Sequence, residues 1–212
     1  MHIALKNKNS DLGQKQKASS LKLLLWVAMV SISMFFAGLL SAFIVEKADV
    51  NNWQGFALTS TVLEIGDKVF ILPNYFVLST GVIIFSSLLL FFVKKKLRKG
   101  NSVFSLVFTV LILGILFSYL QIKGWQELLN QGVYFMGAGW NKGGAFLFVL
   151  TLMHLLHLTG GLIAMCVSAI QSKRNLYSID NYLGLELTSI YWHFLTLLWV
   201  IIFLFLNSSA IN

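Results

Sequence analysis

Three of the four histidines in this chain fall inside long apolar runs: His154 and His157 in "LTLMHLLHLTGGLIAMC" and His193 in "YWHFLTLLWVIIFLFL". Neutral imidazole is a common metal and haem ligand and titrates near neutral pH, so these are the side chains that could do chemistry. His154 and His157 are three residues apart and share one helical face, which Thr151 and Gly160 or Gly161 continue. Two readings stand for them. One is a metal or haem site; the other is a pair hydrogen-bonded between helices that the two glycines allow to approach. A haem held by two imidazoles needs a second helix that presents a histidine at matching depth. Only His193 could serve, and it lies near the start of its run whereas His154 is midway along its own.

Glu186, Ser189 and His193 are spaced three and four apart, so one helical face could carry them hydrogen-bonded in series. A proton path would need that face to stay polar across the membrane. It ends in Leu197 and Val200, which favours structural satisfaction over conduction. Tyr191, Trp192 and Trp199 read as interfacial and packing aromatics. Cys166 is the single cysteine and sits in an apolar run, so a disulfide framework and a cysteine metal cluster are excluded. No nucleophile–base set or phosphate loop accompanies these residues.

The elements that must hold them are membrane helices. Of the 212 residues 57% are hydrophobic and only 11% charged, against about 25% charged in a soluble domain. Five runs are long and apolar enough to cross a bilayer as helix, about residues 23–45, 74–93, 103–122, 144–170 and 185–206. They are continuously apolar rather than alternating, which excludes a barrel. The fold class is therefore an all-α integral membrane protein, a five-helix transmembrane bundle over residues 22–208. Residues 1–21 are polar and lysine-rich and read as a disordered cytosolic tail, not a cleavable signal. Between the first two runs, "LEIGDKVFILPN" carries a short β-like stretch and a proline turn.

Twelve of the sixteen cations lie in the N-terminal tail, in "KKKLRKG" after the second run, and at Lys173 and Arg174 after the fourth. Those segments share one side of the membrane, so the N-terminus is expected in the cytoplasm and the C-terminus outside. The net charge of +8 is thus short clusters between spans rather than one stripe, and nucleic acid is excluded as a partner. In the first run Ser31, Ser33, Gly38, Ser41 and Ala42 have helix-contact spacing and suggest a packing face. "QIKGWQELL", with Lys123, Trp125, Gln126 and Glu127, reads as an external amphipathic tip with an indole anchor.

Taken together, the fragments resemble subunit III of haem–copper terminal oxidases, the cytochrome c and quinol oxidases of respiratory chains. "YWHFLTLLW" (191–199) is similar to that family's Tyr-Trp-His-Phe-x-Asp-x-x-Trp signature, and "HLLHLTGGLIA" (154–164) to its paired-histidine and double-glycine stretch. "MFFAGLLSAFI", "LPNYFVLSTGVIIFSSLLL" and "QIKGWQEL" follow the same order along residues 25–207. The five runs match a shorter bacterial branch of the family that lacks the first two of its usual seven helices.

The resemblance implies an accessory subunit of a bacterial cytoplasmic-membrane complex that reduces oxygen and pumps protons. It would bind no haem or copper itself, those cofactors lying in partner subunits. Oxidase subunit I would be its main contact, with subunit II also in the complex and structural phospholipid between helices. His154, His157, Glu186, Tyr191, Trp192, His193 and Trp199 would be signature residues for helix packing or lipid contact, with no catalytic or metal-binding role. Three positions depart from the family pattern. Ile32 replaces a glutamate before "MFF", Leu155 the glycine between the histidines, and Thr196 the aspartate of the signature. With no carboxylate at position 196, His193 reads as a neutral hydrogen-bonding post.

Overall fold

A computed structural model describes residues 2–48, 56–59, 62–65, 68–71, 73–98, 102–135, 142–174, 177 and 182–208. Five helices follow one another as α1 (His2–Ala48), α2 (Asn74–Arg98), α3 (Phe104–Asn130), α4 (Lys142–Lys173) and α5 (Leu183–Ser208). All five are long and apolar enough to cross a membrane. Outside the spans, three short strands, β1 (Phe56–Thr59), β2 (Val62–Ile65) and β3 (Lys68–Ile71), form an antiparallel meander between α1 and α2. Phe56 pairs with Ile65 and Val62 with Ile71. The basic link at residues 99–101 lies outside the described residues.

α2, α3, α4 and α5 close into a ring, with α5 returning to α2, and α1 lies outside that ring against α4 and α5. The ring's core is apolar and heavily aromatic, with Phe117, Trp192 and Trp199 fully buried. Each helix buries a stripe at three- and four-residue spacing; in α3 it is Val107, Val110, Gly114, Phe117, Gln121, Gly124 and Leu128. Gly132, at φ 87°, ends α3 in the left-handed region that favours glycine. Its N–H reaches the Leu129 carbonyl and that of Val133 the Leu128 carbonyl, a Schellman closure.

Three expectations need correction. The segment read as a disordered tail is helical from His2, because α1 extends unbroken through residues rich in Ala, Leu, Lys and Gln, all good helix formers. Within this chain the small residues of α1 are not its packing face: Ser31, Ser33, Gly38, Ser41 and Ala42 are exposed, and the buried stripe is Met29, Phe36 and Phe43. Large rings, not close backbone approach, join α1 to the ring, with Phe43 meeting Phe146 and Phe205 edge-on at 5.6 and 5.5 Å. Trp125 is not a free interfacial anchor either. α3 runs through "QIKGWQELL", and the Trp125 indole turns inward to donate to Thr151 Oγ1 at 3.0 Å.

Candidate functional site: the inner face of α5

α5 carries two indoles one heptad apart, and α2 carries hydroxyl pairs one heptad apart: Ser79 and Thr80, then Ser86 and Ser87. The two helices run antiparallel, so the sets meet. Trp192 Nε1 donates to Ser86 Oγ at 3.0 Å, and Trp199 Nε1 donates to Thr80 Oγ1 at 2.9 Å. Each of those hydroxyls already donates its own proton along its helix. Ser86 reaches the Ile83 carbonyl at 2.8 Å and Thr80 the Phe76 carbonyl at 2.7 Å. A hydroxyl used in this way satisfies its donor locally and offers an acceptor to a neighbouring helix. Thr151 does the same between Leu147 and Trp125. In an interior without water, each such bond spares an indole N–H the desolvation cost of being buried unpaired.

Glycines make room for these indoles. At Gly114 an added Cβ would stand 2.5 Å from the Trp192 ring, so only a residue without a side chain lets that ring reach α3. Gly161 packs against Leu195 and Trp192 in the same manner, with a would-be Cβ 3.0 Å from Leu195. Its neighbour Gly160 is exposed.

The histidines do not converge. His154 is fully buried between the rings of Trp199, at 5.0 Å, and Phe117, at 5.9 Å. His157 bonds through Nδ1 to the Met153 carbonyl of its own helix at 2.7 Å, and its ring lies edge-on to Phe36 of α1 at 5.7 Å. The pair therefore does not hydrogen-bond across helices through its side chains as the glycine spacing suggested. Tyr191 supplies the cross-helix bond instead, donating to the His157 carbonyl at 3.2 Å.

His193 turns toward α2. Its Nδ1 is 2.6 Å from Ser87 Oγ, its Nε2 is 3.4 Å from Ser189 Oγ, and its ring stacks on Phe91 at 4.5 Å. Gly161–Leu195 and Ser168–Thr188 set the register of α4 against α5. They put His193 about nine residues along α4 from the level of His154, roughly 14 Å of helix rise. A haem bridged by these two side chains does not fit that arrangement. Among the described residues, no group of three or more His, Cys, Asp or Glu side chains is placed to hold a metal ion.

Glu186 Oε2 pairs with Lys22 Nζ of α1 at 3.0 Å, so the face that starts at Glu186 begins with an ion pair. Thr196, where a carboxylate was expected, donates to the Trp192 carbonyl of its own helix at 3.0 Å. Ile32 and Leu155, the other two departures, are half-buried against the core. Beyond the spans, Tyr177 donates to Gln171 Oε1 at 2.7 Å, and burial pushes its phenol above the ordinary value.

Of the seven signature residues, Trp192, Trp199 and His154 are enclosed by other helices and have no surface for lipid. His157, Glu186, Tyr191 and His193 are half-buried. The hydroxyls of α2, Gly114 and Gln121 escaped the sequence reading. The heptad match between "STGVIIFSS" and the two indoles was the signal for the first of these.

Comparison with known proteins converges on one family. The family model for cytochrome c oxidase subunit III matches residues 8–209. A probable cytochrome c oxidase subunit 3 from Nocardia farcinica is 28% identical over 85% of this chain and 82% of its own. The cytochrome bo(3) ubiquinol oxidase subunit 3 from Buchnera aphidicola is 24% identical over 93% of this chain and 91% of its own. Against the cytochrome c oxidase subunit 3 of Hippopotamus amphibius identity is 26%, and the match spans only 47% of that protein.

Proposed function

The chain belongs to the cytochrome c oxidase subunit III family, and from that premise we propose that it is the accessory subunit of a haem–copper oxidase, binding subunit I and structural phospholipid and holding no haem or copper itself. The family is a component of a multi-subunit oxidoreductase in the membrane. The observation that carries the reading is the match from residue 8 to residue 209, which takes in all five spans.

The interior supports a scaffold role. Its polar groups are spent on holding helices together: indoles on hydroxyls, His193 between Ser87 and Ser189, and Ser168 against Thr188 at 3.1 Å. Haem and copper belong, on this reading, to the partner subunits, with subunit II completing the complex. The lysine-rich segments face the cytoplasm of a bacterium, and the C-terminus lies outside. Phospholipid would meet the half-buried group of His157, Tyr191 and His193 rather than the enclosed indoles.

Blue-native electrophoresis of solubilised membranes with haem staining tests the reading. The chain is expected to co-migrate with a haem-bearing band and to be absent as a stable free species. A stable free monomer, or a Soret band on the purified single chain, would overturn it.

A further inference from the structure

Inside the ring each indole or amide N–H meets a hydroxyl, but one layer leaves polar atoms over. Gln121 of α3 is 1% exposed, and its Nε2 donates to Ser79 Oγ at 2.8 Å. Ser79 already donates to the Phe76 carbonyl at 2.9 Å and can only accept from Gln121. The amide orientation is thereby fixed, and Gln121 Oε1 is left as a buried acceptor with no partner. His154 of α4 is 0% exposed, and neither of its ring nitrogens has a hydrogen-bond partner.

These atoms lie at one level of the bundle. The Trp125–Thr151 bond sets the register between the antiparallel helices α3 and α4. Gln121 is one turn from that bond on α3, and His154 is one turn from it on α4, in the same direction. Phe117, four residues before Gln121 on the same buried stripe, touches the His154 ring. An unpaired buried polar group is destabilising, and this layer holds more than one.

We propose that the layer of Gln121 and His154 is a binding site for a single buried water, which bridges Gln121 Oε1 to an imidazole nitrogen of His154. The chemistry of the two ends selects water. The amide oxygen needs a donor; neutral imidazole offers one N–H and one lone pair. Water supplies two protons and two lone pairs, so it donates to Oε1 and either accepts from the N–H or donates to the bare nitrogen. A cation would suit Oε1, but the side chains around this level are Ser79, Thr80, Thr151 and Trp199, none of them anionic. The bridged water ties α3 to α4 one turn from the Trp125–Thr151 bond.

The test is a density map of the chain in its native oxidase, at a resolution that shows ordered water. A peak is expected about 2.6–3.2 Å from both Gln121 Oε1 and one ring nitrogen of His154, and it should vanish in His154→Phe. A layer with no peak, a direct Gln121–His154 hydrogen bond, or a peak that persists unchanged in His154→Phe would each overturn the proposal. Assembly yields give an independent reading. Gln121→Met and His154→Phe are each expected to lower the assembled fraction about tenfold by orphaning the water and the other partner. The double variant, with nothing left to satisfy, should recover most of that loss. Losses that simply multiply would count against the bridge.

Discussion

α5 and α1 are both apolar spans, yet they join the molecule in different ways. α5 sits in the ring and buries 44% of its most apolar stretch, and its contacts are keyed: each indole reaches one hydroxyl and one glycine sets the approach. α1 buries 11% of its stretch and holds on through three buried apolar side chains, the half-buried Ile32, Leu39 and Leu40 beside them, and one ion pair. Rings pressed on rings in lipid gain little from the hydrophobic effect, because acyl chains are as apolar as the protein surface they replace. Keyed hydrogen bonds and shape carry the specificity of the contacts that α5 makes.

The largest expected effect breaks the keyed side. Gly114→Leu drives a side chain into the space of Trp192 and should cost about 3 kcal/mol. It would be read as early thermal release of the chain from the solubilised oxidase, and an unchanged midpoint would show that the ring can open there. Trp199→Phe follows at about 2 kcal/mol, through lost volume and the unused acceptor at Thr80. His193→Ala removes two hydrogen bonds and a stacked ring, for about 1.5 kcal/mol. Assembly or phospholipid retention, measured by quantitative lipid extraction, should fall in that variant while the haem spectrum of the complex stays intact.

Phe36→Ala sharpens the comparison from the other side. In a water-soluble core the change would cost about 3–5 kcal/mol. Here the transfer contribution disappears because lipid can cover the exposed surface, leaving about 1 kcal/mol of lost dispersion. Thermal release measured beside Trp199→Phe decides the matter. If Phe36→Ala proves the worse variant, α1 is no looser than α5 and the contrast fails.

The same difference explains what the sequence could tell. Five spans were readable because continuous apolarity over a bilayer's thickness leaves helix as the outcome. Trp192 and Trp199 stood out as packing aromatics, but their acceptors did not, since serine and threonine are common in membrane helices and carry no mark of their role. Only the shared heptad spacing of α2 and α5 identifies them. The buried side of α1 was misread for a physical reason. Small residues permit close packing without demanding it, and with no helix of the ring against that face the rings of Phe36 and Phe43 took the contact. Trp125 was misplaced because a span's end was set by its charged residues, whereas α3 continues past Lys123, whose ammonium lies 5.7 Å from the Tyr119 ring centre. The unpaired atoms of Gln121 and His154 depend on register between α3 and α4, which no single-helix pattern contains.

The smallest expected effect concerns the ion pair that fastens α1. Lys22 is nearly half exposed and Glu186 largely covered, at 44% and 19%, so solvent screening limits the pair to about 0.5 kcal/mol. A cysteine placed by Phe36→Cys, buried in the closed arrangement, reports opening of α1 through its rate of labelling by a membrane-permeant maleimide. Adding Lys22→Met should raise that rate about twofold. The increase should shrink at high salt, because an exposed pair is already weakened there. Labelling of a cysteine at Trp199, behind the keyed contacts of the ring, should not respond to Lys22→Met at all. A rise at both sites would mean that α1 and α5 move as one body, and the ion pair would then belong to the ring rather than to a loosely held outer helix.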